Sequence, residues 1–428
     1  MSLAILISSI WPASAWLRKN PDKLSWLCFF IGFLPFVTNW LHLLTAPISW
    51  FWVGYTKGLE IYVLDAVAIV ILIALRGRIV RPLFVAIMAL YFISALVATF
   101  EAQVPEAAVF YCWQLLRVFI VYLAVANISS LRFDAVGSML KGLAFAEILE
   151  CMVAILQRFG YHILQTPGTM GSQNELGIAS HFVILPFFAL MLGGRRGWLP
   201  PVVVLAGLTT DALTTSRGAV VLGLAGLALV WLFSSLARFS TRKFGIAVLG
   251  LVALALVAPL AAASFSKRFE HSNLGLAEDN ERLAFKRAAS MMIDDHPGGV
   301  GPNNFAFVAN MGGYYNRSGP GLSAIGRFSN VHNLYLLILA ESGPAGLVSY
   351  ILMLIVPFIA AVRHGLRSDL WDANDPRRDI LIGASVTLLI VAIHSTEEWV
   401  MIGAVLEYLL AIMFGLIAGL TDNKKYSN

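Results

Sequence analysis

Charge is scarce in this chain. Asp, Glu, Lys and Arg make up 13% of its 428 residues, where a soluble globular domain carries about 25%. With 58% hydrophobic residues and a mean hydropathy of +0.77, a water-soluble single-core protein is excluded and a polytopic membrane protein is implied. The formal charge of +5 does not point to nucleic acid, because membrane proteins gather Lys and Arg in their cytoplasmic loops. Cysteine is almost missing. Cys28, Cys112 and Cys151 are scattered through apolar segments, which gives neither a disulfide framework nor a zinc spacing. The nearest approach to a metal motif is Asp294-Asp295-His296. Its spacing is that of a solvated helix end, so neither a metal site nor a cofactor is expected. A cleaved signal peptide is also absent from the reading. The first apolar run, Leu3–Leu17, is broken by Pro12 and has no basic stretch before it, and it reads as a short uncleaved or interfacial segment. No short-period repeat is visible.

Long apolar runs are what the chain does have. A spanning helix needs about 20 mostly apolar residues. Twelve segments meet or approach this: 24–45, 60–77, 82–100, 106–128, 134–157, 174–193, 197–213, 216–236, 243–265, 345–362, 380–396 and 399–420. The fold class is therefore an all-α polytopic membrane protein with about 12 transmembrane helices and one long external loop containing short helices. The organisation follows as N-terminal spans over 1–265, the loop over 266–344, and C-terminal spans with a tail over 345–428. Short loops on one side hold eighteen basic residues, from Arg18 to Lys425, and those on the other only Lys57, Arg158 and Arg217. This asymmetry predicts cytoplasmic termini and an external long loop. Arg117, Lys141 and Glu150 fall inside spans. A charge there costs about 2.5–3.5 kcal/mol on the insertion scale, so each should be paired or line a polar cavity.

The polar stretch 266–330 interrupts this pattern. It holds seven basic residues, Lys267, Arg268, Arg282, Lys286, Arg287, Arg317 and Arg327, against the six acidic residues Glu270, Glu278, Asp279, Glu281, Asp294 and Asp295. Asp279-Asn280 can cap a helix running to about Asp294, with Phe285, Ala288, Ala289 and Met292 on its apolar face. A short helix from near Asn330 to Glu341 should end at Ser342-Gly343-Pro344.

Candidate chemistry collects on the external side. Arg217, in Thr214-Thr215-Ser216-Arg217-Gly218, stands at the start of an apolar helix. Free N–H groups, the helix dipole and a guanidinium together suit a phosphate. The plainer reading is an interfacial anchor, which the scarcity of external arginine argues against. His332 follows the loop and precedes a short helix. It is either a proton acceptor or a histidine that merely caps that helix. Asn333 and Glu341 either orient it or stabilise the bend. Arg282, Arg287 and Arg327 are candidates for phosphate or sugar, the alternative being salt bridges to Glu278, Asp279 and Glu281. Asn174 lies in the external turn 168–175. His181 and His394 read as buried hydrogen-bonding residues, with His394 also a site candidate near the external pair Glu397-Glu398.

Four stretches taken together resemble the O-antigen ligase and polymerase superfamily of bacterial membrane glycosyltransferases: Met170-Gly171-Ser172-Gln173-Asn174-Glu175, Thr215-Ser216-Arg217-Gly218, the run His296 to Phe305, and His332-Asn333-Leu334-Tyr335 with Glu341-Ser342-Gly343. The resemblance covers about residues 165–350. It implies an inner-membrane enzyme that takes a glycan from an undecaprenyl-pyrophosphate carrier at the periplasmic face. One large late loop resembles the ligase branch, whose acceptor is the lipid A–core oligosaccharide. It further implies an inverting, metal-independent transfer, with Arg217 and His332 catalytic and Arg282, Arg287, Arg327, Asn174, Asn333 and Glu341 binding substrate. Polymerases and protein O-oligosaccharyltransferases share much of this pattern. A transporter or flippase of lipid-linked anions would share the helices and arginines, but should show two matching halves with broken helices.

Overall fold

The computed structural model describes residues 3–422 except 46, 50, 51, 77, 80, 195, 196, 253, 254, 256–273, 320–325, 368, 369 and 372–374. The end of the predicted ninth span, Lys267, Arg268 and the basic tail Lys424-Lys425 lie outside the described residues. Among the described residues ten α-helices precede the long loop: α1 (Leu3–Lys19), α2 (Leu24–Phe33), α3 (Val63–Ala74), α4 (Val85–Ala98), α5 (Pro105–Leu131), α6 (Phe133–Ile155), α7 (Gln173–Leu192), α8 (Leu199–Thr214), α9 (Arg217–Ala237) and α10 (241–252). The loop contains α11 (Leu274–Asp295), α12 (Phe305–Met311) and α13 (Tyr314–Arg317), and α14 (Leu334–Leu366), α15 (Pro376–His394) and α16 (Ala404–Thr421) follow it. Each of the twelve predicted apolar segments contains a helix. Among the described residues five helices, α5, α7, α9, α14 and α16, are long and apolar enough to cross a membrane by length and composition.

Three boundaries differ from the sequence reading. The segment 24–45 is not one helix. After α2 the chain tightens into a 3-10 turn over Leu34–Trp40, with Pro35 unable to donate to the preceding turn. It then forms β1 (His42–Thr45), paired antiparallel with β2 (Leu59–Tyr62). The first loop helix begins by Leu274 rather than at Asp279-Asn280, and the last apolar helix begins at Ala404 rather than 399. The apolar face of α11 is as expected, with Phe285, Ala288, Ala289 and Met292 all buried.

Two of the three charges predicted to fall inside spans have partners. Arg117 of α5 is buried, donates to Tyr408 of α16 at 2.8 Å and faces Asp65 of α3 at 3.4 Å. Beside it Gln114 donates to Glu407. Glu150 accepts from the backbone N–H of Thr169 at 2.9 Å. Lys141 departs from expectation and is exposed on α6, where a long aliphatic stem lets the ammonium reach toward a polar boundary.

The helix break in 331–362 is present. Gly343 takes φ 64°, ψ −170° inside α14, a region open essentially to glycine alone, and a Cβ there would sit 2.8 Å from the carbonyl oxygen of Gly298. Into this kink the His-Pro-Gly-Gly-Val-Gly-Pro-Asn-Asn run docks by backbone bonds, from Val300 N to Ala340 O and from Gly301 N to Glu341 O, both 2.9 Å. Asn303 ties the same run to the loop before β2 by donating to the Thr56 carbonyl at 2.7 Å, and the Asn304 side chain accepts from Val104 N at the start of α5. The long loop is thus fastened to the bundle at the kink, beside the turn that joins α4 to α5 and the loop before β2.

Candidate active site

The turn between α8 and α9 is built by its own hydroxyls. Thr214 Oγ1 donates to the Asp211 carbonyl at 2.7 Å and accepts from Ser216 N at 3.2 Å. Thr215 adopts the left-handed conformation at φ 52°, and Ser216 caps α9 by accepting from Ala219 N. Helix α9 therefore starts at Arg217, with that side chain exposed at the N-terminal, positive end of the helix dipole.

Arg217 lines a cavity of about 540 Å³ together with Asn174, Arg282, His394, Glu397 and Glu398. Four elements contribute: the start of α7, the start of α9, the loop helix α11, and the turn after α15. Glu398 is the hub. Its Oε1 accepts from Asn174 Nδ2 at 2.8 Å and from Arg282 Nη2 at 3.2 Å, and its Oε2 lies 3.7 Å from His332 Nδ1. Glu397 receives Arg282 Nη1 at 3.1 Å and Lys286 at 3.3 Å. Arg282 is thus held across the cavity mouth by two carboxylates from another element. The His332 ring stacks on Trp399, ring centroids 4.1 Å apart, and stands behind Glu398 rather than on the cavity wall.

The remaining predicted site residues lie elsewhere. Arg287 is exposed in a shallower neighbouring cavity of about 470 Å³ that also holds Lys286 and Arg317. Arg327 donates to Asn316 Oδ1 at 2.6 Å within the loop. Asn333 is the N-cap of α14, accepting from Leu336 N, and its amide donates to the Thr396 carbonyl. Glu341 is buried, accepting from the Tyr55 hydroxyl at 2.7 Å and Phe305 N at 2.9 Å. Burial, together with the Glu341 carboxylate, pushes the Tyr55 hydroxyl well above its usual range, so it remains a donor. Asn333 and Glu341 therefore secure the bend, and the structure brings Arg217, Arg282 and Asn174 together with His332 one residue behind.

Sequence reasoning passed over two features. Glu398 was visible only as part of an external acidic turn, and nothing in its spacing signals three partners from three elements. The second is a buried chain running from the bundle to the cavity: Asp211 Oδ2 to His181 Nε2 at 3.2 Å, and His181 Nδ1 to His394 Nε2 at 3.2 Å. The sequence marks His181 and His394 singly as buried hydrogen-bonding residues; their link to Asp211, a carboxylate inside an apolar run, is what it does not show.

No curated protein matches the chain closely enough to count as a relative. Residues 201–351 match the model of the family described as O-antigen ligase. The matched region contains the α8–α9 turn with Arg217, the long loop with Arg282, and His332 at the start of α14. That match gives residues 201–351 of the chain an O-antigen ligase-type domain.

Proposed function

We propose that the protein is a ligase that transfers a glycan from undecaprenyl pyrophosphate to lipid A–core oligosaccharide at the periplasmic face of the inner membrane, its termini being cytoplasmic. The observation that carries this is the convergence of Arg217 and Arg282, from two separate elements, on one cavity at the end of an apolar bundle. A lipid-linked pyrophosphate needs that combination: fixed cations for its head and helices for its tail. Arg217 and the α9 N–H groups would hold the pyrophosphate. Arg282 would exchange its Glu397 and Glu398 partners for phosphate oxygens.

In the reaction the acceptor hydroxyl oxygen bonds to the anomeric carbon as the bond from that carbon to the pyrophosphate oxygen breaks, with inversion. Negative charge grows on the leaving oxygen, where preorganised guanidinium groups stabilise it. The acceptor's proton passes to His332, whose imidazolium would face Glu398 at 3.7 Å. One compact anion site favours a ligase over a polymerase, which must hold two carrier-linked glycans at once.

The test is purified protein with one carrier-linked glycan repeat, with and without lipid A–core. Product on lipid A–core, lost when the core sugars are removed, is expected. Lengthened carrier-linked chains without lipid A–core would make the protein a polymerase, and flux across vesicles without product would make it a transporter.

A further inference from the structure

We infer that His394 is a further hydrogen-bond donor to the carrier's pyrophosphate, its proton fixed on Nδ1 by the buried pair Asp211–His181. This rests on the carrier-lipid reading of the Arg217 cavity. Three observations on neighbouring helices lead to it. Asp211 is 2% exposed, and its Oδ1 has no hydrogen-bond partner among the described residues. A carboxylate that stays ionised at this depth needs a compensating cation, and the basic group against it is His181, 3.2 Å away and fully buried. The Ala219 carbonyl, 3.1 Å from the same His181 Nε2, can only accept, so that nitrogen carries a hydrogen. With His181 as the cation of the pair, its Nδ1 also carries a hydrogen and donates to His394 Nε2 at 3.2 Å.

The consequence for His394 is a matter of tautomer. A second cation in contact with the first would put two hydrogens between the facing nitrogens, so His394 is neutral and its Nε2 accepts. Its single proton then sits on Nδ1. The ring lines the same cavity as Arg217 and Arg282, and a Cβ on Gly218, next to Arg217, would lie 3.9 Å from its Cε1. A neutral donor whose proton is locked in place complements two guanidinium groups. It adds a hydrogen bond to the anion without adding to their mutual repulsion. The chain has room against α9 only because residue 223 is glycine: a Cβ there would sit 2.8 Å from Asp211 Oδ2 and 2.9 Å from His181 Nε2. His181 and Asp211 are positioning residues in this scheme, acting on the lipid through His394.

Amide side chains separate binding from support. The amide nitrogen of Asn falls near the Nδ1 position and that of Gln near Nε2. The probe is undecaprenyl pyrophosphate binding to the full-length protein in lipid nanodiscs, with uncharged undecaprenol as the control. His394→Gln is expected to weaken pyrophosphate binding by about tenfold to a hundredfold, the range for a hydrogen bond to a charged partner. His394→Asn should stay within about threefold of wild type on the same scale, and undecaprenol binding should not change in either. Asp211→Asn removes the carboxylate paired with His181, moves the His394 proton to Nε2, and should cost as much as His394→Gln. Adding His394→Asn to Asp211→Asn should restore binding.

Equal loss in the Gln and Asn variants, or wild-type binding by the Gln variant, would overturn the inference. Nitrogen-15 magnetic resonance of the histidine-labelled wild-type protein tests it without any variant: an unprotonated His394 Nδ1 overturns it. If wild-type protein transfers no glycan yet shows these binding differences, the transferase reading fails and the His394 assignment stands.

Discussion

Replacing Arg217 tests the donor site most directly, and its size can be worked out from the site. The side chain is exposed at the first position of α9, and exposed substitutions away from special features usually change stability by within about 0.5 kcal/mol. Arg217→Ala should therefore fold and melt like wild type. A bidentate grip on pyrophosphate amounts to two charge-assisted hydrogen bonds of about 1.5–3 kcal/mol each, or roughly 3–6 kcal/mol in all. Each 1.36 kcal/mol is about tenfold in rate, so kcat/KM should fall by roughly 10²–10⁴. Arg217→Lys keeps the charge and loses the fork, and should recover only a small part. Arg282 lines the same cavity, so the double Ala variant should lose less than the product of the two single losses, because both side chains are proposed to hold one anion. The assay is single-turnover transfer from a carrier-linked glycan with saturating acceptor, beside thermal unfolding of each variant. A folded Arg217→Ala protein with full activity refutes the reasoning, and strictly multiplicative losses separate the two arginines into independent sites.

His332→Ala should lower turnover by about 10² or more, with donor binding kept and the acidic limb of the pH–rate profile gone, as a general base requires. A collapse of donor affinity with unchanged turnover per bound donor would make the histidine a binding residue. Gly343→Ala should destabilise the protein by about 1–3 kcal/mol from backbone strain alone, with a further cost from the contact with the Gly298 carbonyl. An unchanged melting temperature would mean that the kink is not needed to dock the loop.

Much of the local structure was legible because it is written in neighbouring residues. Ser216 caps α9 and Asn333 caps α14, each a side chain reaching its own backbone, and Ser342-Gly343-Pro344 breaks α14 through glycine's positive φ and proline's missing N–H. The ribbon β1–β2 was hidden because His42-Leu43-Leu44-Thr45 continues the apolar run of α2, and composition alone does not mark where helix gives way to strand. Glu341 shows the opposite failure. Its place in the sequence leaves it to orient His332 or to stabilise the bend, and the partners that decide between these, Tyr55 and Phe305, come from elsewhere in the chain. The contacts of Glu398, and those linking Asp211 to His181 and His394, join residues from 30 to 224 positions apart. Such pairs are set by how helices rotate against one another, which spacing along one chain does not encode.

The burial of Arg117 bears on how the protein is made. Its firmest partner, Tyr408, lies 291 residues further along the chain. At about 5–20 residues per second of synthesis, that is roughly 15–60 s during which α5 is already through the ribosome and the closing hydroxyl does not yet exist. Over that interval Asp65, emerging ahead of α5, is the counter-charge at hand. The bundle is completed only when the last helix slides in beside α5, so a nascent chain stopped before Ala404 leaves a guanidinium inside the membrane with its binding shell half built, a state that quality-control proteases can recognise.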